Sequence, residues 1–306
     1  MSLKKHKTFT KAMSLSLLLG LAFSGIAIGT FFAQHKRTYQ QDEFIPEENA
    51  YYAGEIVNPS GLIKAHKFVT PTDNYYSEQK NWSHSVNMLG DLESVWTSYT
   101  GAGTTVAIID DGFDYNHPEY IRSNGTSAIL STSRYYHLNN NQTAVVYESY
   151  SSNPSCIGED WEEGYNGYEW ATHGTNTSTT AAAPMNNGGG VGIAPEANIL
   201  ALKIDFSFAA IEEAIKYAIN QHVDVINMSL GAYGEKFEDG FGDVQNDGYD
   251  YEDYCDIPTY LESVCQSAYN NGIIVVAAAG NEATWHKSYP ACNSHVVGVG
   301  ALYTST

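Results

Sequence analysis

Three residues with side chains suited to acyl-transfer chemistry lie at comparable places in the chain. Asp110 follows the apolar, β-branched run 105–109, His173 opens a run of small residues, and Asn281 follows the apolar run 273–279. An aspartate can orient an imidazole, the imidazole can act as a general base, and a side-chain amide can stabilise an oxyanion. Each residue alone is a weak signal, because a lone histidine is more often a capping residue and a lone Gly-Asn more often a turn. The helices and strands around these residues must therefore show whether the three side chains can form one site.

The elements that carry these residues alternate between two kinds. Runs typical of strands buried on both faces occur at 105–109, 197–204, 223–230, 273–279 and 296–299. Helical patterns start near His173 and occur at 208–219 and 259–270. This alternation predicts βαβ units on a mostly parallel sheet, which is a doubly wound α/β fold. Such sheets bind ligands at the carboxyl ends of their strands, where Asp110 and Asn281 are predicted to lie.

The charge balance narrows the set of partners. The chain holds 35 acidic and 15 basic residues, for a formal net charge of −20. Nucleic-acid phosphates are bound by lysine and arginine, so we expect no nucleic-acid partner. The acidic excess suits an exported or cation-binding protein. Acidic residues are most concentrated at residues 235–256. This segment is predicted to be a flexible acidic loop, with weak calcium binding as the alternative.

Residues 1–33 have the pattern of a targeting segment. Four lysines precede the uncharged, apolar stretch 12–33, and small residues come just before Thr30. A basic start, an apolar middle and small residues near the end are typical of a secretory signal peptide. The stretch is also long enough for an uncleaved membrane anchor. We therefore expect a secreted or extracellular protein, either cleaved near Thr30 or anchored in the membrane through residues 12–33.

The four cysteines are Cys156, Cys255, Cys265 and Cys292. Outside the cytoplasm an even number permits disulfides, and four cysteines allow three pairings. Cys265 lies on the apolar side of the predicted helix 259–270, so a buried free thiol is the alternative for it. The sequence leaves the pairing open.

The candidate residues occur in contexts that resemble one family. The segments VAIIDDG, HGT and AAAGN follow one another in that order, each in a βαβ setting. Together with DYNHPE, VGIAPEANILALKI and AAIEEAIKYAINQHVDVINMSLG they resemble the subtilisin-like serine peptidases, or subtilases. The resemblance covers roughly residues 71–306. It implies a subtilisin-type catalytic domain over residues 76–306, preceded by a linker or short propeptide-like segment at residues 34–75.

The resemblance also implies roles for individual residues. Asp110 and His173 would be the triad acid and base, and Asn281 would supply the oxyanion-hole amide. The implied substrates are polypeptides, and no cofactor is implied for catalysis. Three further sites are implied, namely a strand end that pairs with an extended substrate, a wall of the pocket for the residue before the scissile bond, and a structural calcium site. The strand end consists of Ser229, Leu230 and Gly231. The pocket wall consists of Ala278, Ala279 and Gly280. The calcium site consists of Glu119 and Asn187.

Two departures from the family pattern bear on function. The family reads His-Gly-Thr-His-Val-Ala-Gly around its histidine, whereas this chain reads His-Gly-Thr-Asn-Thr-Ser-Thr from His173 to Thr179. Because Thr179 replaces a glycine used for close packing, we expect the catalytic helix to be slightly shifted. The family's nucleophile segment, Gly-Thr-Ser-Met-Ala-x-Pro, does not occur in the 306 residues.

This second departure gives two functional expectations. The first is a secreted serine endopeptidase whose catalytic serine lies beyond Thr306, so that the 306 residues are an inactive amino-terminal fragment with a sheet incomplete at its carboxyl end. The alternative is an exported, catalytically inactive subtilase-like protein that binds peptides or partners.

Overall fold

The computed structural model describes residues 70–81, 83–84, 89–158, 173–185, 188–231, 259–281 and 287–301. The predicted signal or anchor segment, most of the predicted linker, the acidic insertion 235–256 and Asn187 lie outside these residues. Among the described residues, no helix combines the length and the hydropathy that crossing a bilayer requires.

The described chain is organised on one mostly parallel sheet of seven strands in the order β3-β2-β4-β1-β5-β6-β7. Every neighbouring pair is parallel except β2 and β3, which are antiparallel. The strands are β1 (Thr105–Asp110), β2 (Arg134–Leu138), β3 (Val145–Ser149), β4 (Asn198–Ile204), β5 (Val225–Met228), β6 (Ile274–Ala278) and β7 (Val297–Val299).

Strand β1 forms the centre of the sheet, and its side chains are buried on both faces. Val106 and Ile108 belong to one apolar cluster, whereas Ala107 and Ile109 belong to another on the opposite face. Successive side chains of a strand point to opposite faces, so an uninterrupted apolar run satisfies both clusters at once. All four side chains are fully buried.

Helices cover both faces of the sheet. They are α1 (Tyr76–Asn81), α2 (Leu92–Trp96), α3 (His173–Ala182), α4 (Phe208–Asn220) and α5 (Thr259–Asn270), with single 3₁₀ turns at Pro118–Tyr120 and Pro154–Ile157. Buried residues of α2 and α3 join the cluster of Ile108, and those of α4 and α5 join the cluster of Ile109. The Ser207 hydroxyl caps α4 by accepting a hydrogen bond from the Ala210 N–H. The predicted doubly wound α/β architecture is therefore confirmed.

The differences from the predicted elements lie at one side of the sheet and at strand ends. Strands β2 and β3 were not predicted, because the segment is rich in Tyr, Ser and Asn and β3 is largely exposed at the sheet edge. Strand β5 ends at Met228, two residues before the predicted end, and its pairing with β1 ends there too, at Ile109. The helix predicted at 259–270 has the bounds of α5.

The described cysteines are of two kinds. Cys156 and Cys265 are buried and free, and Cys292 is disulfide-bonded. Cys255 lies outside the described residues. Burial raises the pKa of the Cys265 thiol to about 11, so this thiol is inert at neutral pH. The buried free thiol weighed for Cys265 is the observed state.

Candidate active site

Asp110 is the last residue of β1, at the carboxyl edge of the sheet. Strand β1 lies between β4 and β5, so the Asp110 side chain is only 1% exposed. A buried carboxylate requires hydrogen-bond donors. Its Oδ1 accepts one hydrogen bond from the backbone N–H of Asp111 at 2.9 Å. The remaining donors come from α3.

His173 is the first residue of α3, and its ring contacts Asp110 directly. The distance from His173 Nδ1 to Asp110 Oδ1 is 2.7 Å, and the His173 side chain is 56% exposed. Since the carboxylate only accepts, Nδ1 carries the proton and Nε2 of the neutral ring is left as an acceptor. The hydrogen bond that Nδ1 donates to Asp110 raises the pKa of His173, burial opposes this rise, and the negative charges of Asp110 and Asp111 reinforce it.

Asp111 and Gly174 fix the start of α3 against the end of β1. The Gly174 N–H donates to Asp111 Oδ1 at 3.0 Å, which satisfies one of the free donors of the first helical turn. A Cβ on Gly174 would lie 2.1 Å from the carbonyl oxygen of Gly112, so only glycine permits this close approach. One residue on, Thr175 Oγ1 accepts a hydrogen bond from the Asp114 N–H at 2.8 Å.

The two neighbouring carboxylates have different environments. The pKa of Asp111 is raised, first by burial and then by the negative charge of Asp110. Ligand atoms of Asp110, Asp111 and His173 lie within 4.8 Å of one another, which is also a spacing that a metal ion would accept. However, His173 Nδ1 donates to Asp110, and the Asp111 carboxylate accepts from Gly174. Because these groups are already paired with one another, the arrangement fits a metal site less well. It fits a proton-transferring imidazole better.

Sequence reasoning missed two contacts of this site. It gave no role to Asp111, whose carboxylate binds the first turn of α3. It also gave no role to Thr177, whose hydroxyl reaches Asp110 Oδ2 at 3.0 Å. The available signal was the spacing of four residues between His173 and Thr177, which places both on one face of a helix.

The predicted substrate-binding segments lie at the carboxyl ends of two paired strands. Residues 229–231 directly follow β5, and Ala278 ends β6, which pairs with β5. Ala279 is held on both sides, because its N–H donates to Val299 and its carbonyl accepts from the Ser288 N–H. Gly231 is packed so closely that a Cβ there would lie 2.4 Å from Ser288 Oγ.

Asn281 is exposed and follows Gly280, which has a φ of +111°. That backbone conformation favours glycine and turns the chain at the end of β6. The structure thus places Asp110, residues 229–231 and Asn281 at the carboxyl ends of three consecutive strands, β1, β5 and β6. The roles of Asn281 and of residues 229–231 and 278–280 stay predictions.

Thr179 does not interrupt the helix that carries His173. Its hydroxyl donates to the Thr175 carbonyl oxygen at 2.7 Å, and α3 continues to Ala182. Close packing near this end of α3 is provided by Gly192, where a Cβ would lie 2.2 Å from the Ala183 nitrogen. The expected shift of the helix stays a prediction.

The Glu119 carboxylate contacts the glycine-rich loop 188–190 that follows α3. Its Oε1 accepts a hydrogen bond from the Gly190 N–H at 2.9 Å, and its buried Oε2 has no hydrogen-bond partner among the described residues. The carboxylate packs so closely on Gly189 that a Cβ there would require the end of the Glu119 side chain to move. Asn187, the other predicted calcium ligand, lies outside the described residues.

Comparison with known proteins identifies the family. The model of the subtilase family matches residues 101–306. The chain is 30% identical over 219 residues to an intracellular serine protease of Paenibacillus polymyxa, covering 68% of this chain and 52% of the relative. It is 31% identical over 216 residues to subtilisin E of Bacillus subtilis (strain 168), covering 68% and 43%.

Among solved structures, an S41 psychrophilic protease shares 26% identity over 65% of this chain and 53% of that protein, with a TM-score of 0.43. The chain spans about half the length of the curated relatives it matches. Because the family model covers more than half of its residues, this chain belongs to the subtilase family.

Proposed function

We propose that this chain provides the acid and base of a serine endopeptidase. The observation that carries the proposal is the pair formed by buried Asp110 and half-exposed His173, joined at 2.7 Å. The buried carboxylate fixes the ring and compensates its charge when it is protonated. The exposed ring is then available to a nucleophile through Nε2.

The proposed nucleophile is a serine in a Gly-Thr-Ser segment outside residues 1–306. Its Oγ forms a bond to the carbonyl carbon of the substrate while its proton passes to His173 Nε2. The negative charge moves to the carbonyl oxygen, where the Asn281 amide donates a hydrogen bond in our proposal. The imidazolium then gives its proton to the leaving amine, and a water molecule activated by the same ring hydrolyses the acyl-enzyme.

The substrate segments are also assigned within this proposal. An extended polypeptide would pair with the backbone of Ser229, Leu230 and Gly231, and a side chain would lie against Ala278, Ala279 and Gly280. The support is that both segments follow the carboxyl ends of paired strands, at the same edge of the sheet as Asp110, the last residue of β1. Main-chain pairing of this kind accepts many sequences and suits an endopeptidase.

Proteolysis by the full gene product tests the function. The wild-type protein should hydrolyse a denatured protein substrate, and His173→Ala should lower the rate by several orders of magnitude. His222→Asn is the control, because His222 is exposed and its φ of +55° is one that asparagine accepts. A folded wild-type protein that binds peptides without cutting them would favour the inactive binding protein instead.

We also propose a structural calcium ion near Glu119. The support is the buried Oε2, which has no hydrogen-bond partner in the part of the chain that the structure describes. Calcium prefers oxygen ligands and takes six to eight of them. Asp73, which is buried and accepts from the Gly188 N–H, lies at the same loop. Calorimetry should detect calcium binding that Glu119→Gln weakens and that Glu148→Gln, on exposed β3, leaves unchanged.

Export is the proposed location, either as a secreted or as a membrane-anchored protein. It is supported by the basic and apolar pattern of residues 1–33. Family membership does not decide the compartment, because one relative is named an intracellular serine protease. Amino-terminal sequencing of the mature protein tests the proposal, with a start near residue 30 expected for a cleaved signal peptide.

A further inference from the structure

Thr177 lies one helical turn after His173, and both side chains reach the same carboxylate. His173 Nδ1 contacts Asp110 Oδ1, and Thr177 Oγ1 contacts Asp110 Oδ2 at 3.0 Å. The Thr177 side chain is almost fully buried, with the residue 6% exposed. Within the described residues, Asp110 Oδ2 accepts a hydrogen bond from the Thr177 hydroxyl. Helix α3 therefore holds the carboxylate at both oxygens.

The Thr177 hydroxyl has two acceptors and one proton. The Gly174 carbonyl oxygen, in the same helix, lies 3.1 Å from Thr177 Oγ1, and Asp110 Oδ2 lies at 3.0 Å. Hydrogen bonds to a charged acceptor are roughly twice as strong as those between neutral groups. The proton is therefore directed to Asp110, and the Gly174 contact is secondary.

The subtilase pattern has valine at this place, and valine cannot donate a hydrogen bond. The hydroxyl is thus a feature of this chain rather than of the general pattern. Its geometry adds a restraint that the pair of Asp110 and His173 lacks, because a carboxylate held at one oxygen can still rotate about its last bond. A donor on each oxygen fixes the plane of the carboxylate.

We propose that Thr177 is a positioning residue that holds Asp110 in the plane in which Oδ1 faces His173 Nδ1. The inference rests on the proposed function, since it assigns Thr177 a part in aligning the proposed general base. In this proposal, Thr177 does not contact the substrate. It acts through Asp110, and its hydroxyl also shares part of the negative charge that the carboxylate presents to the imidazole.

Removal of the hydroxyl has two consequences. A buried carboxylate oxygen loses a charge-assisted hydrogen bond, so the alignment of His173 weakens and kcat/KM should fall roughly tenfold. The carboxylate also presents more of its negative charge to the ring, so the pKa of His173 should rise. Among the described residues, the charged groups that act on this ring are Asp110 and Asp111, and Asp111 is unchanged by the substitution.

The experiment compares Thr177→Val, Thr177→Ser and Thr179→Val in the full-length protein. Valine keeps the shape of the threonine side chain without the hydroxyl, and serine keeps the hydroxyl. Thr179 is the matched control, because it lies on the same helix and its hydroxyl, among the described residues, contacts only the helix carbonyls of Thr175 and Asn176. The readouts are the titration of the His173 ring by ¹⁵N NMR, assigned with His173→Gln, and kcat/KM for a peptide.

We expect Thr177→Val to move the His173 titration to higher pH and to lower kcat/KM, and we expect Thr177→Ser to restore both. Thr179→Val should leave both at the wild-type values. An unchanged His173 titration in Thr177→Val would overturn the proposal. If the valine variant does not fold, Thr177→Ala serves the same titration. A wild-type protein without proteolytic activity would instead count against the proposed function, because the titration does not depend on cleavage.

Discussion

Replacing Gly174 by alanine tests the close approach of α3 to β1 on which the site depends. The added Cβ would lie 2.1 Å from the Gly112 carbonyl oxygen and 3.1 Å from Asp110 Cβ. The first of these is a backbone atom that cannot rotate away. Ordinary contact distances begin near 3.4 Å, so the first turn of α3 must move away from β1 by about 1 Å. His173 is the residue next to Gly174 and must move with it.

Two opposing contributions determine the change in stability. Alanine is favoured over glycine within a helix by about 1 kcal/mol. Forcing an extra carbon into a packed site costs about 1–3 kcal/mol, and the clash here is with the backbone. Because a backbone atom cannot move aside, we expect a cost in the upper part of this range, about 2–3 kcal/mol, and therefore a net loss of about 1–2 kcal/mol. Activity should suffer more, because a misplacement of about 1 Å at a catalytic group can cost about 100-fold in rate.

Urea unfolding and peptide hydrolysis measure these two effects on the full-length protein. Gly300→Ala is the matched control, because a Cβ at Gly300 would meet no atom of the described residues within 4 Å. The control should match the wild type in both assays. A Gly174→Ala protein with wild-type stability and wild-type activity would refute the reasoning, since it would mean that α3 does not approach β1 as closely as described.

Three further predictions concern the charges of the site and the proposed calcium ion. Asp111→Asn keeps an acceptor for the Gly174 N–H and removes a charge that raises the pKa of His173. The acidic limb of the pH–activity profile of Asp111→Asn should therefore move to lower pH, and a profile that matches the wild type would contradict this prediction. Asp111→Ala, which lacks the acceptor, should lose about 1 kcal/mol in unfolding free energy. Because Asp110 raises the pKa of His173, activity should rise with pH through that raised pKa. The protonated ring should stabilise the folded protein fully below about pH 6.5, the ordinary histidine pKa, and this stabilisation should be lost as the pH rises through the raised pKa. The difference in unfolding free energy between the wild type and His173→Gln, measured with urea at several pH values, would show this loss. Calcium should raise the thermal unfolding midpoint of the wild type and not that of Glu119→Gln, and equal responses would count against a ligand role for Glu119.

The part of the fold that could be predicted is the part with strong hydrophobic patterns. Strands β1, β4 and β6 are short apolar runs buried on both faces, and α4 has an apolar stripe opposite charged residues. Strands β2 and β3 lie at the sheet edge, where half-exposed tyrosines and polar residues produce no clear period. Their pairing depends on long-range contacts, which short patterns do not report.

The same division applies to the site. The hydrophobic patterns were enough to predict that Asp110 ends a buried strand and that His173 begins a helix, and the family resemblance implied that the two residues pair. The contacts of Thr177 and Asp111 depend on how far α3 is rotated about its axis and on how closely it approaches β1. That distance is set by Gly174, where the Cβ of any other residue would meet the Gly112 oxygen. The sequence shows this glycine but not the atom that it faces.

Labelling by a serine-directed fluorophosphonate most directly tests the claim that His173, oriented by Asp110, activates a serine. The full gene product is incubated with the probe, and the labelled residue is located by mass spectrometry, with His173→Ala and His222→Asn in parallel. We predict one labelled serine, in a Gly-Thr-Ser segment outside residues 1–306, with labelling lost in His173→Ala and retained in His222→Asn. A folded wild-type protein that takes up no label, or a serine labelled equally without His173, would contradict it.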